Sequence, residues 1–132
     1  MFLLDSNIIS YAIRGNREIK DKINQYHDTI KLNSIIQAEL FYGAYKIKSE
    51  SLAQVYNIFF ETFDILPFGS REATIFAQLK ANLANEGKVV EDADLMIASV
   101  ALTNNLTLVT NNTKHFARIP DLKLANWYQE KS

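Results

Sequence analysis

The chain of 132 residues contains no cysteine. That excludes a nucleophilic thiol, a zinc–thiolate centre and any disulfide, and it is compatible with a reducing compartment without requiring one. Long apolar runs are also missing: none of the hydrophobic stretches approaches the ~20 residues that cross a bilayer. Asp5 follows only four residues, which leaves no apolar segment for a signal peptide at the amino end. A soluble, cytoplasmic protein without a membrane partner is expected. Charge of one sign does not dominate, because 14 Lys and Arg stand against 15 Asp and Glu for a net −1. No global field draws in nucleic acid or an anionic membrane. A polyanionic substrate must be met by local Lys and Arg or by bound cations. There is no repeat, low-complexity tract or linker, so residues 1–132 are expected to form one domain.

What is present is an ordinary globular composition, 48% hydrophobic and 22% charged. At this length a core buries roughly two-thirds of the unfolded surface, enough to fold without a metal. Short apolar strands alternate with helices. Phe2-Leu3-Leu4 reads as a buried strand, and Ser6 or Asn7 can cap a helix over Ile8–Ile13. An amphipathic helix is predicted over 17–26 and a strand over Thr29–Leu32. Ser34 then opens a helix with Gln37 at capping-box spacing. Another helix covers 49–62, opened by Ser49 or Ser51. A strand over 64–68 is cut off by Pro67. Residues 70–86 form a long helix with Ala73, Phe76, Ala77, Leu79, Lys80 and Leu83 at mostly helical spacing, and Gly87 terminates it. A helix from Asp92 or Asp94 to Leu102 precedes a strand over 106–110. Residues 113–121 are expected to be irregular, 122–124 to form an edge strand, and Trp127 to anchor the end. This alternation predicts an α/β fold, a short parallel sheet of four to five strands flanked by helices on both faces. Its functional crevice lies at the carboxyl ends of the strands.

Three acids can reach that rim. Asp5 closes the first strand, Glu39 lies in the early turns of the helix after the second strand, and Asp94 opens the helix before the fourth. Taken singly, capping is the commoner role for Asp5 and Asp94. Glu39 sits in the apolar segment Ile35–Phe41, where burial costs free energy unless the acid is paired. Carboxylates held together repel and raise one another's pKa. A divalent cation removes that penalty, and an all-oxygen donor set suits magnesium or manganese.

The residues that carry these acids also resemble a known family. Leu4-Asp5-Ser6-Asn7, Ala38-Glu39-Leu40-Phe41-Tyr42-Gly43-Ala44, Asp94-Leu95-Met96-Ile97-Ala98 and Leu108-Val109-Thr110-Asn111-Asn112-Thr113 with Phe116 resemble, in order, the motifs of PIN-domain ribonucleases. The ending Ile119-Pro120-Asp121-Leu122 through Asn126-Trp127 looks like the VapC toxins of type II toxin–antitoxin systems. The resemblance implies a PIN-like fold and an endoribonuclease that depends on Mg2+ or Mn2+ and cleaves cellular RNA to arrest growth. It also implies a cognate VapB-like antitoxin, a homodimer, and a higher toxin–antitoxin assembly on operator DNA through the antitoxin. By motif match Asp5, Glu39 and Asp94 are the catalytic, metal-holding acids, and Ser6, Asn7, Thr110 and Asn112 are accessory polar positions.

Two places depart from the family pattern. Asn112 and His115 stand where many relatives carry an acid, which favours one firmly bound cation. Glu91-Asp92 replaces the small residues or proline more usual before the helix, and Asp92 is read as a cap or an outer group. His115, Arg14, Lys114 and Arg118 flank the motifs and can meet phosphates. The aromatics between Phe41 and Phe63 exceed what a small core needs, a hint of a partner surface. The alternative is a catalytically weak or silent PIN-like module that binds RNA or protein. A receiver-like domain modified at Asp5 fits less well, since the acidic pair and distal lysine of that arrangement are missing.

Overall fold

The computed structural model describes residues 1–129, so the last three residues of the expected 1–132 unit lie outside the described residues. Five strands form one parallel sheet: β1 (Phe2–Leu4), β2 (Ile30–Asn33), β3 (Asp64–Leu66), β4 (Thr107–Val109) and β5 (Leu124–Ala125). Successive residues of a strand point to opposite faces. Leu3 and Leu4 are both fully buried, as are Leu108 and Val109. Helices therefore cover both faces, which is why these strands read as continuous apolar runs.

The strand order is β3-β2-β1-β4-β5. The chain steps outward from β1 to β3, then crosses back to lay β4 and β5 on the other side of β1. Where strand order reverses, the connections diverge and leave a crevice at the carboxyl ends. Here that point lies between β1 and β4. Leu4 pairs with Val109, and the amide of Asp5 donates to the Val109 carbonyl at 2.9 Å. Asp5 and Thr110, the residues directly after these strands, are thus set side by side.

Among the described residues, seven α-helices complete the fold: α1 (Ser6–Ile13), α2 (Arg17–Gln25), α3 (Ser34–Lys46), α4 (Glu50–Thr62), α5 (Ser70–Asn85), α6 (Asp92–Thr103) and α7 (Thr113–Phe116). Their caps revise the sequence reading in two places. Helix α1 is capped by Asp5, not by Ser6 or Asn7. Helix α3 is capped by Asn33, whose side-chain oxygen accepts from the Ile36 amide at 2.9 Å. Strand β2 extends through Asn33 because a 3-10 turn occupies His27–Thr29 and moves the strand start to Ile30. Ser34 is consequently already helical. Ser49 caps α4, as expected, by accepting from the Leu52 amide.

The buried side of α5 is also rotated from the expected one. Glu72 and Leu83 are buried while Ala73 and Ala77 are exposed, because the face that meets α6 runs through Glu72, Phe76, Leu79 and Leu83 at helical spacing. Gly87 ends the connection at φ +72, in the left-handed region that glycine favours. Residues 113–121 are not irregular throughout. Phe116, 1% exposed, pulls one helical turn, α7, onto the core, and the last strand falls at Leu124–Ala125 rather than at 122–124. Trp127 is the anchor anticipated, buried against Phe2 and Tyr26 with ring centroids at 5.1 and 5.6 Å.

Helices α5 and α6 run antiparallel. Arg71 donates to the Thr103 carbonyl at one end, and Lys80 pairs with Asp92 toward the other. Helix α6 runs directly into β4, with the Leu106 amide on the Ala101 carbonyl. Its last turn therefore lies at the amino edge of the sheet, and its first turn, ~18 Å away at 1.5 Å per residue, lies at the carboxyl rim. Among the described residues, no helix is long and apolar enough to cross a membrane.

Candidate active site

Asp5 is 5% exposed and does two things at once. One oxygen accepts from the Ser6 amide at 2.8 Å and caps α1. The other accepts from the Thr110 hydroxyl at 2.7 Å. The cap and the site are one residue, so the two roles weighed for Asp5 do not compete. Burial pushes its carboxyl above the ordinary aspartate value. The bonds from Thr110 and Ser6 pull it back, and the charge of Asp94 pushes it up further.

Thr110 is fully buried, and its hydroxyl also accepts from the Asn112 amide at 3.0 Å. Asn7 spans the same junction. Its amide nitrogen is 3.5 Å from both Asp5 and Thr110, and its oxygen accepts from the Asn111 amide at 3.2 Å. Asn7 and Thr110 therefore meet Asp5 through their side chains, and Ser6 meets it through its backbone amide. Asn112 comes in through its backbone only; its exposed side chain makes no cap bond to α7.

Glu39 lies on α3 between the buried Ile36 and Leu40, and it is exposed rather than buried. The helix turns it out of the apolar stripe that its neighbours suggested. Its carboxyl is nonetheless pushed up to about 7, first by desolvation, then by the charges of Asp5, Asp94 and Glu91. Three acids separated by 34 and 55 positions thus feel one another across the crevice.

Asp94 is in the first turn of α6 and does not cap it; Glu91 holds the cap position without a side-chain cap bond. One Asp94 oxygen sits 2.8 Å from the His115 ring. Asp92 is the first residue of α6 rather than its cap, and it pairs with Lys80. Glu91 was not read as a site residue from the sequence. It lies three positions before Asp94, so the two share a side of the turn, and that spacing was the available signal.

Of the flanking cations, Arg14 ends α1 exposed and Lys114 is exposed on α7. Arg118 is engaged instead with His115. His115 is thus fixed between Asp94 and Arg118 rather than set in an exposed loop. A surface cavity of about 360 Å³ between α3 and α4, lined by Tyr45, Ser49, Ala53 and Asn57, lies apart from the acids.

No three His, Asp or Glu side chains among the described residues stand close enough to form a ready cation cage. The three acids expected to hold a cation are therefore not gathered into a closed cage among the described residues. The donor chemistry still fits a hard divalent cation. Magnesium binds through one or two carboxylates and keeps several waters, and mutually repelling acids at a crevice are relieved by it.

Comparison with known proteins shows the family of the chain. A model of the PIN domain matches residues 2–122. The chain is 38% identical to Ribonuclease VapC2 of Rickettsia felis, over 96% of this chain and 98% of that protein. It is 33% identical to the tRNA(fMet)-specific endonuclease VapC of Shigella flexneri, over 96% and 97%. Among solved structures, VapBC2 of Rickettsia felis, bound to a DNA fragment from its promoter, superimposes with a TM-score of 0.90 at 35% identity, covering 96% and 98%. DNA-bound VapBC of Salmonella typhimurium gives 0.91 at 32%, also covering 96% and 98%. The chain belongs to the PIN-domain family and, within it, to the VapC ribonuclease toxins of toxin–antitoxin systems.

Proposed function

We propose that this protein is a Mg2+- or Mn2+-dependent endoribonuclease in which Asp5, Glu39 and Asp94 hold the cation. One observation carries the reading: Glu39 is pushed up to about 7, first by desolvation and then by the charges of Asp5, Asp94 and Glu91, carboxylates of two other segments. Acids held above their ordinary values in a crevice mark a functional site, and a divalent cation relieves their repulsion. PIN-domain nucleases are typically metal-dependent, in line with this. When bound, the cation supplies a water nucleophile near neutral pH and offsets charge on the phosphate.

The chain's own groups do the rest. Thr110 and the Ser6 amide fix the orientation of Asp5. Asn7 ties the start of α1 to the Thr110–Asn111 segment and keeps the two walls of the crevice in register. Lys114, exposed on α7 next to His115, meets backbone phosphates, and Arg14, exposed at the far end of α1, meets them further along the RNA strand. The substrate is cellular RNA in the cytoplasm, and transfer RNA is the class to test first, since one relative is a tRNA(fMet)-specific endonuclease. Residues 1–132 act as one PIN-like unit.

The partner is a VapB-like antitoxin, with a toxin homodimer and an assembly on operator DNA formed through the antitoxin. Related VapBC complexes bound to DNA support this. So do the exposed Tyr42, Tyr45 and Ile47 of α3 and its end, and Val55 and Ile58 of α4. The deciding experiment incubates the purified chain with transfer RNA and messenger RNA, in Mg2+ or EDTA, beside Asp94→Asn. Site-specific cleavage by wild type in Mg2+ alone is expected. Equal cleavage by Asp94→Asn, or in EDTA, overturns the assignment.

A further inference from the structure

His115 stands where a fourth carboxylate is common in the family, and the structure gives it a different task. Its Nε2 lies 2.8 Å from Oδ2 of Asp94. Its Nδ1 lies 2.7 Å from Nη2 of Arg118, whose Nε also donates to the His115 carbonyl at 3.2 Å. A guanidinium has only donors. Nδ1 must therefore accept, the ring proton sits on Nε2, and Nε2 donates to Asp94. The bonding partners fix the tautomer.

The arrangement is anchored. Phe116, next in sequence, is buried and meets the His115 ring edge-on at 5.3 Å. Ile119, buried as well, bonds its amide to the Phe116 carbonyl and holds the turn that carries Arg118. The ring and carboxylate are themselves largely covered, with side chains 21% and 24% exposed.

We infer that Arg118 and His115 form a positioning relay that fixes Asp94 through one oxygen and leaves the other for the cation. The inference rests on Asp94 being a ligand, as proposed above. Its physical reason is competition. An arginine placed directly on Asp94 would take both oxygens with its fork and stand in the cation's place. An imidazole nitrogen donates to one oxygen only. Arg118 polarises that imidazole and strengthens its bond to Asp94 from one group away. The relay also holds Asp94 in place against the like charges of Asp5 and Glu39. Position 115 thus orients a ligand rather than adding one.

The test titrates the purified full chain with Mn2+ alone, followed by electron paramagnetic resonance, and measures kcat and KM on an RNA substrate. The variants are His115→Ala, His115→Gln and Arg118→Ala. Loss of a partner behind a metal ligand weakens affinity about 10- to 100-fold. His115→Ala is expected at the lower end, about 10-fold, with reduced kcat and unchanged KM. His115→Gln, which keeps an N–H donor, recovers most of both, and Arg118→Ala loses less than His115→Ala. Should His115→Ala not fold, the proposal still requires weaker Mn2+ binding in Arg118→Ala and near-normal binding in His115→Gln. Wild-type Mn2+ affinity in His115→Ala with a raised KM makes His115 an RNA contact and overturns the relay. Equal loss in the Ala and Gln variants makes it packing and also overturns it. Wild-type protein that cleaves RNA yet binds no Mn2+ overturns the three-acid cation reading itself, a separate failure.

Discussion

Acids in two regions of one sheet are treated in opposite ways. Asp64, at the start of β3, is exposed and sits in register with Lys31 of β2. The lysine reaches it at 2.6 Å and holds its carboxyl below the ordinary value. At the carboxyl rim, Asp5 and Glu39 are held above theirs. Where charge has no task, the neighbouring strand neutralises it. In the crevice no lysine or arginine of the chain bonds directly to the three acids among the described residues, and the nearest cationic help, Arg118, stands behind a histidine. The difference shows which acids the fold keeps available for a cation.

The harshest way to break the comparison is to remove a rim acid. Asp5→Asn and Asp94→Asn are expected to lower cleavage on the order of 10³-fold. Cation chemistry supplies several kcal/mol and each 1.36 kcal/mol is tenfold. Single-turnover cleavage of labelled RNA reads this out, and retained activity in either variant would make the rim no more functional than Asp64. Next is Thr110→Val. It removes a buried donor to a carboxylate, worth about 2 kcal/mol, so denaturant unfolding should show that loss together with slower cleavage. An unchanged midpoint would mean that the 2.7 Å bond to Asp5 does not hold the junction.

A smaller effect sharpens the sign. Folded Glu39 binds its proton more tightly than the unfolded chain does, at about 7 against 4.5. Its contribution to stability is whole below about 4.5 and is lost as pH rises through about 7. In EDTA, wild type should lose melting temperature between pH 5 and 8, and Glu39→Gln should lose less. Mg2+ should restore wild type at pH 8 by binding the folded state. Parallel melting curves for the two proteins would count against the raised Glu39 value. The smallest effect belongs to Asp64→Ala. An exposed pair contributes little and is screened by salt, so cleavage and melting temperature should match wild type.

The order of strands and helices was legible in the residues because apolar runs and helical spacing report burial directly. Gly87 and Trp127 were legible for similar local reasons. The misreadings have local causes too. Asn33 was passed over as a cap because it ends a strand that Ile30 had begun one residue late. Residues 113–121 looked irregular because their single helical turn is set by Phe116 reaching the core, a contact that periodicity cannot display.

The sequence by itself determined that acids stand at a strand end and at helix starts, that the chain has no thiol to act instead, and that the motifs fall in the family's order. Tertiary structure alone decided which acids meet. The reversal of strand order at β1 places Asp5 beside Thr110. The antiparallel run of α5 and α6 returns Asp94 to the same rim and turns Asp92 onto Lys80. It also brought in Glu91 and made His115 a partner of Asp94. Charges act through space, and distance through space is fixed by the fold rather than by separation along the chain.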